Sequence, residues 1–364
     1  MSTIAVAMSG GVDSSVTAAL LKQQGHTVIG ITMRLFAPHS SGIGSAVHDA
    51  AVVAEHLHIP HYVADFAPDF SRLIIGDFIE EYRQGHTPNP CVRCNRYIKF
   101  GMLLEKAREL GADLLATGHY VRKSVDPDGT CHLKMAENAR KDQSYFLYTL
   151  TQQQLRQVIF PLGTMASKDE VRRLAREFAL PVAEKNDSQE VCFIPGDDYV
   201  AFLENNGVSN AAHGEIIHLN GTTVGRHHGT HRYTIGQRKG LGVAWSEPLY
   251  VTEIDAQRNV VLVGEQQYVY ADGLLAEEVS WVVAPERDEF TASCKIRYRH
   301  QPVPCRVQLG EGNSCVVQFD QPQKAVTPGQ ALVFYRGDEV LGGGRIVRSC
   351  SGDIASEGTP CESA

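Results

Sequence analysis

The chain has 364 residues, of which 43% are hydrophobic and 21% are charged, a composition typical of soluble globular proteins with two or three domains. No apolar run approaches the roughly 18 residues that a membrane span requires, and the N-terminus lacks a secretory leader, so we expect a cytoplasmic protein with no membrane partner. The net charge of −8 excludes a globally basic nucleic-acid-binding protein and leaves only local patches for that purpose.

The first 120 residues alternate short apolar runs with segments of helical period, which predicts a doubly wound parallel α/β sheet. The predicted strands are Ile4–Met8, Thr27–Met33, His61–Ala64 and a run from Asp113 to the Gly118-His119 turn, and the predicted helices are Val12–Gln24, Ser45–Leu57, Phe70–Tyr82 and Ile98–Leu110. Open α/β sheets bind ligands at the carboxyl ends of their strands. We therefore expect the site at that edge.

The second half of the chain predicts a different architecture. A hairpin is predicted around Asp128-Gly129, followed by helices at 152–158 and 167–178. Beyond residue 200, short β-rich runs lie between turn residues, at 249–254, 260–263, 294–298, 303–309, 314–319 and 331–335. The last five runs fit an antiparallel β-barrel. We thus expect an α/β domain over 1–200, a small central domain over 201–272 and a barrel over 273–364.

A glycine-rich loop follows the first predicted strand. Ser9-Gly10-Gly11-Val12-Asp13-Ser14-Ser15 opens the first helix, so its backbone N–H groups and hydroxyls are placed to receive an anion. It is neither a Walker A loop nor a dinucleotide fingerprint. Taken alone, the run is equally typical of a tight turn that is capped by serine or aspartate.

The nine cysteines favour buried, metal-bound or reactive thiols over a disulfide framework. Cys91 and Cys94 lie in a proline-containing loop before a predicted helix, and the helix N-terminus together with Arg93 is expected to lower the pKa of Cys94. The pair is also half of a zinc site, which His227, His228 and His231 would have to complete. Cys192 precedes an apolar run and, taken alone, is more typical of a core residue.

A basic patch interrupts the acidic chain between residues 226 and 239. It contains four Lys/Arg, three His and one Tyr without an acidic residue. Such a patch is typical of phosphate contacts, although a solvated surface loop has the same composition.

The motifs indicate a particular family only when they are taken together and in order. In order they are the glycine loop, Thr87-to-Cys94 with Ile98-Lys99-Phe100, Ala116-to-Tyr120, Lys141-to-Leu147, Cys192-Phe193-Ile194, Tyr233-to-Gly242, Ile296-to-Arg299 and Ala325-to-Gln330. The glycine loop resembles the PP-loop of ATP pyrophosphatases. The whole series, which covers nearly the entire chain, resembles the tRNA-specific 2-thiouridylase family.

That resemblance implies a PP-loop domain, a central domain and a C-terminal β-barrel. It further implies that ATP adenylates the wobble uridine at C2 in the tRNAs for lysine, glutamate and glutamine, and that a cysteine persulfide then delivers sulfur. Mg²⁺ would be a cofactor, with Asp13 holding it or orienting pyrophosphate. A cysteine desulfurase or a sulfur-relay protein would supply the persulfide.

The resemblance also implies roles for individual residues. Cys192 would carry the persulfide and Cys94 would be its partner nucleophile, with Asp13 as a third catalytic residue. The implied ATP-binding positions are Ala7, Met8, Ser9, Gly10, Gly11, Val12, Asp13, Ser14, Met33 and Gly118. The implied target-base and tRNA contacts are Asn89, Pro90, Cys91, His119, Lys141, Asp142, Gln143, Arg297, Tyr298 and Gln330. No residue is assigned as a ligand of a structural metal.

One position departs from a common form of the family pattern. Cys91 stands where many members carry aspartate, and a thiol is a weaker hydrogen-bonding group than a carboxylate. Cys91 either fills space beside the base or acts with Cys94 as a redox partner or metal ligand. Two rival functions also remain at this point: another PP-loop synthetase that acts on a small molecule, and a zinc-stabilised RNA-binding module.

Overall fold

A computed structural model describes residues 1–36, 43–186, 191–208 and 213–352. The predicted loop residues 187–190 before Cys192 lie outside the described residues. No helix in the described ranges is long and apolar enough to cross a membrane.

The N-terminal part contains seven strands. They are β1 (Thr3–Ala7), β2 (Thr27–Arg34), β3 (His61–Asp65), β4 (Leu114–Ala116), β5 (Val121–Val125), β6 (Cys131–Met135) and β7 (Val158–Ile159). Five of them form a parallel sheet in the order β3-β2-β1-β4-β7. This confirms the doubly wound α/β prediction, and it places the ends of β1, β2 and β4 along one edge.

The helices of this part are α1 (Val12–Gln23), α2 (Ile43–His56), α3 (Ala67–Phe70), α4 (Gly76–Arg83), α5 (Pro90–Arg93), α6 (Leu103–Glu109), α7 (Gln152–Arg156) and α8 (Lys168–Glu177). A π-helical segment at Ser71–Ile75 joins α3 to α4, and a second one at Cys94–Met102 joins α5 to α6. The helix that was predicted to begin at Ile98 therefore begins at Pro90. Proline suits that first position because its missing N–H would have no intrahelical acceptor.

Two hydrophobic cores cover the faces of the parallel sheet. Successive side chains of a strand point to opposite faces, so Ile4 and Val6 pack in the core that contains α1, α2 and α8. Ala5 packs in the other core, together with the aromatic residues of α3 and α4. Both faces are buried, which explains why β1 is a continuous apolar run.

The middle of the chain forms α9 (Tyr199–Asn205) and a four-stranded sheet. Its strands are β8 (Gly214–His218), β9 (Thr223–His227), β10 (Tyr250–Asp255) and β11 (Val260–Gly264), in the order β10-β11-β8-β9. The β-rich run at 260–263 lies here, between β10 and β8. Its assignment to the barrel was therefore wrong.

The C-terminal part is a closed antiparallel β-barrel of six strands. They are β12 (Tyr270–Trp281), β13 (Glu289–Lys295), β14 (Val303–Leu309), β15 (Cys315–Lys324), β16 (Ala331–Arg336) and β17 (Glu339–Cys350). Pairing between β12 and β17 closes the barrel, as predicted. The predicted strand at 294–298 instead ends at Lys295, and the hairpin β5–β6 extends the barrel sheet by pairing with β17.

The two longest barrel strands, β12 and β17, were not predicted. In β17, three consecutive glycines occupy 342–344, a composition that ordinarily indicates a turn. A Cβ on Gly342 would lie 2.4 Å from the carbonyl oxygen of Ser280, and one on Gly343 would lie 2.2 Å from that of Leu332. Glycine is required there because neighbouring strands approach too closely for any side chain.

Candidate active site

The glycine loop connects β1 directly to α1. Gly10 has φ +69°, and a Cβ there would lie 2.5 Å from the carbonyl oxygen of Ala46, so the position requires glycine. The Ser9 N–H donates to the Ser14 hydroxyl at 3.1 Å, and the hydroxyls of Ser14 and Ser15 donate to the Gly11 carbonyl. The loop is thus fixed by its own hydrogen bonds and leads directly into the N-terminus of α1, where no side chain caps the helix, an arrangement suited to phosphate.

Asp13 lies in the first turn of α1 and is held by two residues from later in the chain. Its Oδ1 is 2.6 Å from Lys168 Nζ and accepts a 2.7 Å hydrogen bond from the Tyr120 hydroxyl. A second lysine, Lys185, lies 2.6 Å from Asp49 Oδ2 and donates to the Gly10 carbonyl at 3.0 Å. Neither lysine was predicted as a site residue, because neither belongs to a motif that indicates one.

The remaining predicted ATP-binding positions lie beside this loop. Ala7 and Met8 are at the end of β1, and Met33 is half-buried near the end of β2, which pairs with β1. Gly118 follows β4, and a Cβ there would lie 3.0 Å from the Cβ of Asp13 and from the Ser14 nitrogen. The structure therefore brings the end of β4 against the glycine loop, as the strand-edge rule predicts.

Cys91 and Cys94 lie within a helix and not in the loop before it. Asn89 is the N-cap residue, Cys91 is exposed in α5, and Cys94 is buried at the start of the π-helical segment. The prediction of a lowered pKa at Cys94 was wrong. Burial raises the pKa of Cys94, and the nearby Lys99 only partly opposes that effect.

Cys192 is exposed, so the reading of this residue as core was wrong. The core residue is its neighbour Phe193, whose ring lies 5.2 Å from that of Phe78 and 5.3 Å from that of Phe202. Desolvation by the surrounding protein and, to a smaller extent, the thiols of Cys94 and Cys91 raise the pKa of Cys192 to about 12, although Lys99 partly opposes them. Cys192 thus shares one electrostatic environment with Cys91 and Cys94, which lie about a hundred positions earlier in the sequence.

The segment that precedes Cys91 is held by residues from the other two parts of the chain. The Gln330 side-chain amide donates to the Thr87 carbonyl at 2.7 Å, and the Thr87 N–H donates to the Pro328 carbonyl at 2.9 Å. The Thr87 hydroxyl donates to Thr234 at 3.3 Å. Gln330, predicted to contact tRNA, is therefore also a support for the loop that enters the Cys91 helix. Pro90, the first residue of that helix, is buried.

His119, Asp142 and Gln143 are connected to the site by hydrogen bonds within the protein. His119 Nδ1 lies 2.8 Å from the Thr117 hydroxyl, and burial lowers the pKa of His119 well below its usual range, so the ring is neutral. Gln143 accepts from the Tyr120 N–H at 2.9 Å. Asp142 is buried and accepts from Ser144, so its carboxylate organises the turn. The adjacent Lys141 is half-buried.

Arg297 and Tyr298 follow strand β13. Tyr298 is half-buried, and its ring centroid lies 4.4 Å from that of Phe146. Arg297 donates to the Lys324 carbonyl at 3.0 Å. The aromatic pair joins the end of β13 to the segment that contains Lys141.

The basic patch between 226 and 239 is smaller than its composition predicts. His227 and His231 are buried, and they contact Asn259 and Glu204 respectively. Arg232 forms an ion pair with the same Glu204. Arg226, Arg238 and Lys239 remain exposed. The positive charge of the patch is reduced because Glu204, an acidic residue of α9 that is distant in sequence, lies next to it in the fold.

No group of three or more His, Cys, Asp or Glu side chains within the described ranges is arranged to hold a metal ion. A narrow cleft lies where the α5 segment meets the barrel, and it is lined by Asn89, Arg93, Arg96, Glu278 and Arg345 among others. The cleft does not include the three cysteines. Asn89 therefore faces the junction with the barrel.

Three family models match consecutive parts of the chain. They are described as a tRNA methyl transferase HUP domain at residues 2–196, a tRNA methyl transferase PRC-barrel domain at 201–265, and an aminomethyltransferase beta-barrel domain at 271–346.

Curated relatives match over nearly the whole chain. One from Pelobacter propionicus, named tRNA-specific 2-thiouridylase, is 67% identical over 96% of this chain and 99% of its own. Relatives of the same name from Trichlorobacter lovleyi and Geobacter metallireducens are 65% and 56% identical, over 97% and 94% of this chain and 99% and 96% of their own. The model descriptions mention methyl transfer, whereas these full-length relatives are all named for thiolation.

Proposed function

The chain belongs to the tRNA-specific 2-thiouridylase family, and from that premise we propose that it converts the wobble uridine of the tRNAs for lysine, glutamate and glutamine to 2-thiouridine. The observation that carries this proposal is the pairing of a glycine loop suited to phosphate with three cysteines in one environment. The loop suits an adenylating step. The cysteines suit a sulfur-transfer step.

The first half-reaction makes the C2 oxygen a leaving group. The uracil O2 attacks the α-phosphorus of ATP, the bond from that phosphorus to the bridging oxygen breaks, and pyrophosphate departs with the electron pair, while the proton stays on N3. The loop at 7–14, with Met33 and Gly118, would hold ATP. Mg²⁺ would offset phosphate charge, and Asp13 would hold it or orient pyrophosphate, because magnesium is commonly bound by one or two carboxylates plus phosphates.

The second half-reaction uses the cysteines. The terminal sulfur of a Cys192 persulfide attacks C2, and AMP leaves. The Cys94 thiolate then attacks the Cys192 sulfur, the persulfide S–S bond breaks, and its electron pair stays on the sulfur bound to C2. The product is 2-thiouridine with a Cys94–Cys192 disulfide, which a dithiol must reduce before the next turnover. A cysteine desulfurase or a sulfur-relay protein would load Cys192.

Target-base and tRNA contacts form the third part of the proposal. Asn89, Pro90 and Cys91 would face the flipped base, because they lie at the N-terminus of the helix that contains Cys94. The remaining contacts would be His119, Lys141, Asp142, Gln143, Arg297, Tyr298 and Gln330. The half-buried Tyr298 ring supports base stacking. Asp142 and Gln330 would act mainly by fixing the backbone that meets the RNA.

We also propose domain boundaries at 1–200, 201–272 and 273–364. The three matching family models support this division. The β5–β6 hairpin belongs to the first domain in sequence and to the barrel sheet in space, so these two domains share a β-sheet contact.

The test measures pyrophosphate release from ATP with a tRNA that contains a wobble uridine and with one that lacks it. We expect Asp13→Ala to abolish release while tRNA binding is retained, because Asp13 lies on the phosphate loop. Asp69→Ala, which removes an exposed carboxylate paired with Arg72, is the matched control and should release pyrophosphate normally. Full turnover in Asp13→Ala would refute the role of the loop.

A further inference from the structure

We infer that Lys168 and Lys185 bind the pyrophosphate end of ATP and the pyrophosphate that leaves. The inference rests on the proposed adenylation and adds two residues to it. Neither lysine lies in the glycine loop. Both reach it from the part of the chain that follows residue 160.

Lys168 approaches the loop from the start of α8. Ser167 caps this helix by accepting the Glu170 N–H at 3.1 Å, which fixes Lys168 as its first residue. The ammonium lies 2.6 Å from Asp13 Oδ1, and the side chain is only 13% exposed. A lysine held so firmly at the mouth of an anion-binding loop is preorganised for a phosphate.

Lys185 approaches the opposite end of the same loop. Its ammonium donates to the carbonyl of Gly10, the residue with left-handed φ, and pairs with Asp49. The side chain is 37% exposed and that of Asp49 is 28% exposed. The loop is therefore flanked by two ammonium groups, one at Gly10 and one at Asp13.

Charge balance indicates what these groups are for. Among the described side chains at the loop, Asp13 opposes the charge of Lys168 and Asp49 opposes that of Lys185, so the protein's attraction for an anion there comes mainly from the α1 N-terminus, which carries about half an elementary charge. Half an elementary charge is small compared with the negative charge of a triphosphate. If the ammonium groups shift part of their hydrogen bonding from the carboxylates to phosphate, the site supplies two full charges where charge develops on the departing pyrophosphate.

The alternative is that both lysines only tie α8 and the chain after it onto the loop. Binding of inorganic pyrophosphate distinguishes the two roles, because a purely structural lysine does not contact the anion. We would titrate pyrophosphate, and separately AMP, into wild type, Lys168→Gln and Lys185→Gln by calorimetry, without magnesium. Lys106→Gln, at an exposed lysine on α6, is the matched control.

We expect each of the two variants to weaken pyrophosphate binding by at least about tenfold, the usual loss for a charged hydrogen bond. Affinity for AMP should stay within about twofold, and Lys106→Gln should match wild type. Pyrophosphate affinity equal to wild type in both folded variants would overturn the inference. If wild type itself binds neither ATP nor pyrophosphate, the proposed function fails first, and that outcome is separate.

A second measurement needs no variant that alters folding. Lysine acetylation of wild type by acetic anhydride, read peptide by peptide by mass spectrometry, should be slowed at Lys168 and Lys185 by pyrophosphate. AMP should protect neither residue, and Lys106 should react equally in every sample. Equal acetylation of Lys168 and Lys185 with and without saturating pyrophosphate would refute the contact.

Discussion

Cys192 is an exposed thiol that should react slowly. Its surroundings raise its pKa to about 12, against roughly 8.5 for a solvated cysteine. At pH 8 about a quarter of an ordinary thiol is thiolate, whereas only about one part in 10⁴ of Cys192 would be. The deficit in thiolate is therefore about three orders of magnitude.

Intrinsic nucleophilicity partly compensates for this deficit. Thiolate reactivity rises with pKa with a Brønsted coefficient of about 0.4–0.5, which returns roughly 1.5 orders of magnitude over the 3.5-unit difference. The net expectation is alkylation of Cys192 about 50–100-fold slower than that of a solvated cysteine at pH 8. The rate should rise about tenfold for each pH unit up to pH 11, with no plateau near pH 9.

The assay is iodoacetamide alkylation over pH 7–11, followed by tryptic digestion and mass spectrometry. Arg93 separates Cys91 from Cys94, and the peptide between Lys185 and Arg226 contains Cys192 as its single cysteine, so each thiol is read independently. The same protein in guanidinium chloride supplies the solvated reference rate. A plateau near pH 9 in the folded protein, or a rate equal to the unfolded reference at pH 8, would refute the reasoning.

Three further predictions follow from the same contacts. Cys91→Ser should retain most thiolation in a single-turnover assay while Cys94→Ser loses nearly all of it; equal loss would make Cys91 a redox or metal partner. Phe193→Ala should lower the free energy of unfolding, measured by urea denaturation, by about 3–5 kcal/mol, and it should impair thiolation more than pyrophosphate release. Equal impairment of the two activities would contradict the idea that Phe193 specifically anchors Cys192. Hydrogen bonding to Glu339 raises the pKa of His132, so the protonated ring stabilises the fold fully below the unfolded pKa and loses this effect as pH rises through the folded value. His132→Gln should therefore be less stable than wild type at pH 5.5, with a smaller difference at pH 8.5. A difference in stability that is the same at both pH values would contradict the assignment.

The sequence was sufficient to predict those features that depend only on residues near one another in the chain. The glycine loop and the first βαβ units follow from apolar period and turn residues, because both faces of β1 are buried and Gly10 must adopt positive φ. The same local reasoning failed at Pro90. Its proline-containing segment indicated a loop, whereas Pro90 is the first residue of a helix, so Cys94 lies too far inside to experience the exposed N-terminus.

Contacts between residues that are distant in sequence account for two other errors. The basic composition of 226–239 was read correctly, but Glu204 approaches Arg232 and His231 from α9. In the barrel, β17 was not predicted, because its glycines are required by contacts with Ser280 and Leu332 on neighbouring strands. Glu204 and Ser280 lie far from their partners in the sequence, so only the fold reveals these contacts.

The same limit explains why Lys168 and Lys185 were missed, and their position connects the two half-reactions. Lys185 contacts the Gly10 carbonyl, and Cys192 follows it by seven residues, a stretch that spans at most about 25 Å when fully extended. Cys192, the proposed persulfide carrier, therefore lies within that distance of the residue that contacts the glycine loop. If Lys185 binds pyrophosphate, its departure changes a contact at one end of this stretch while the sulfur lies at the other.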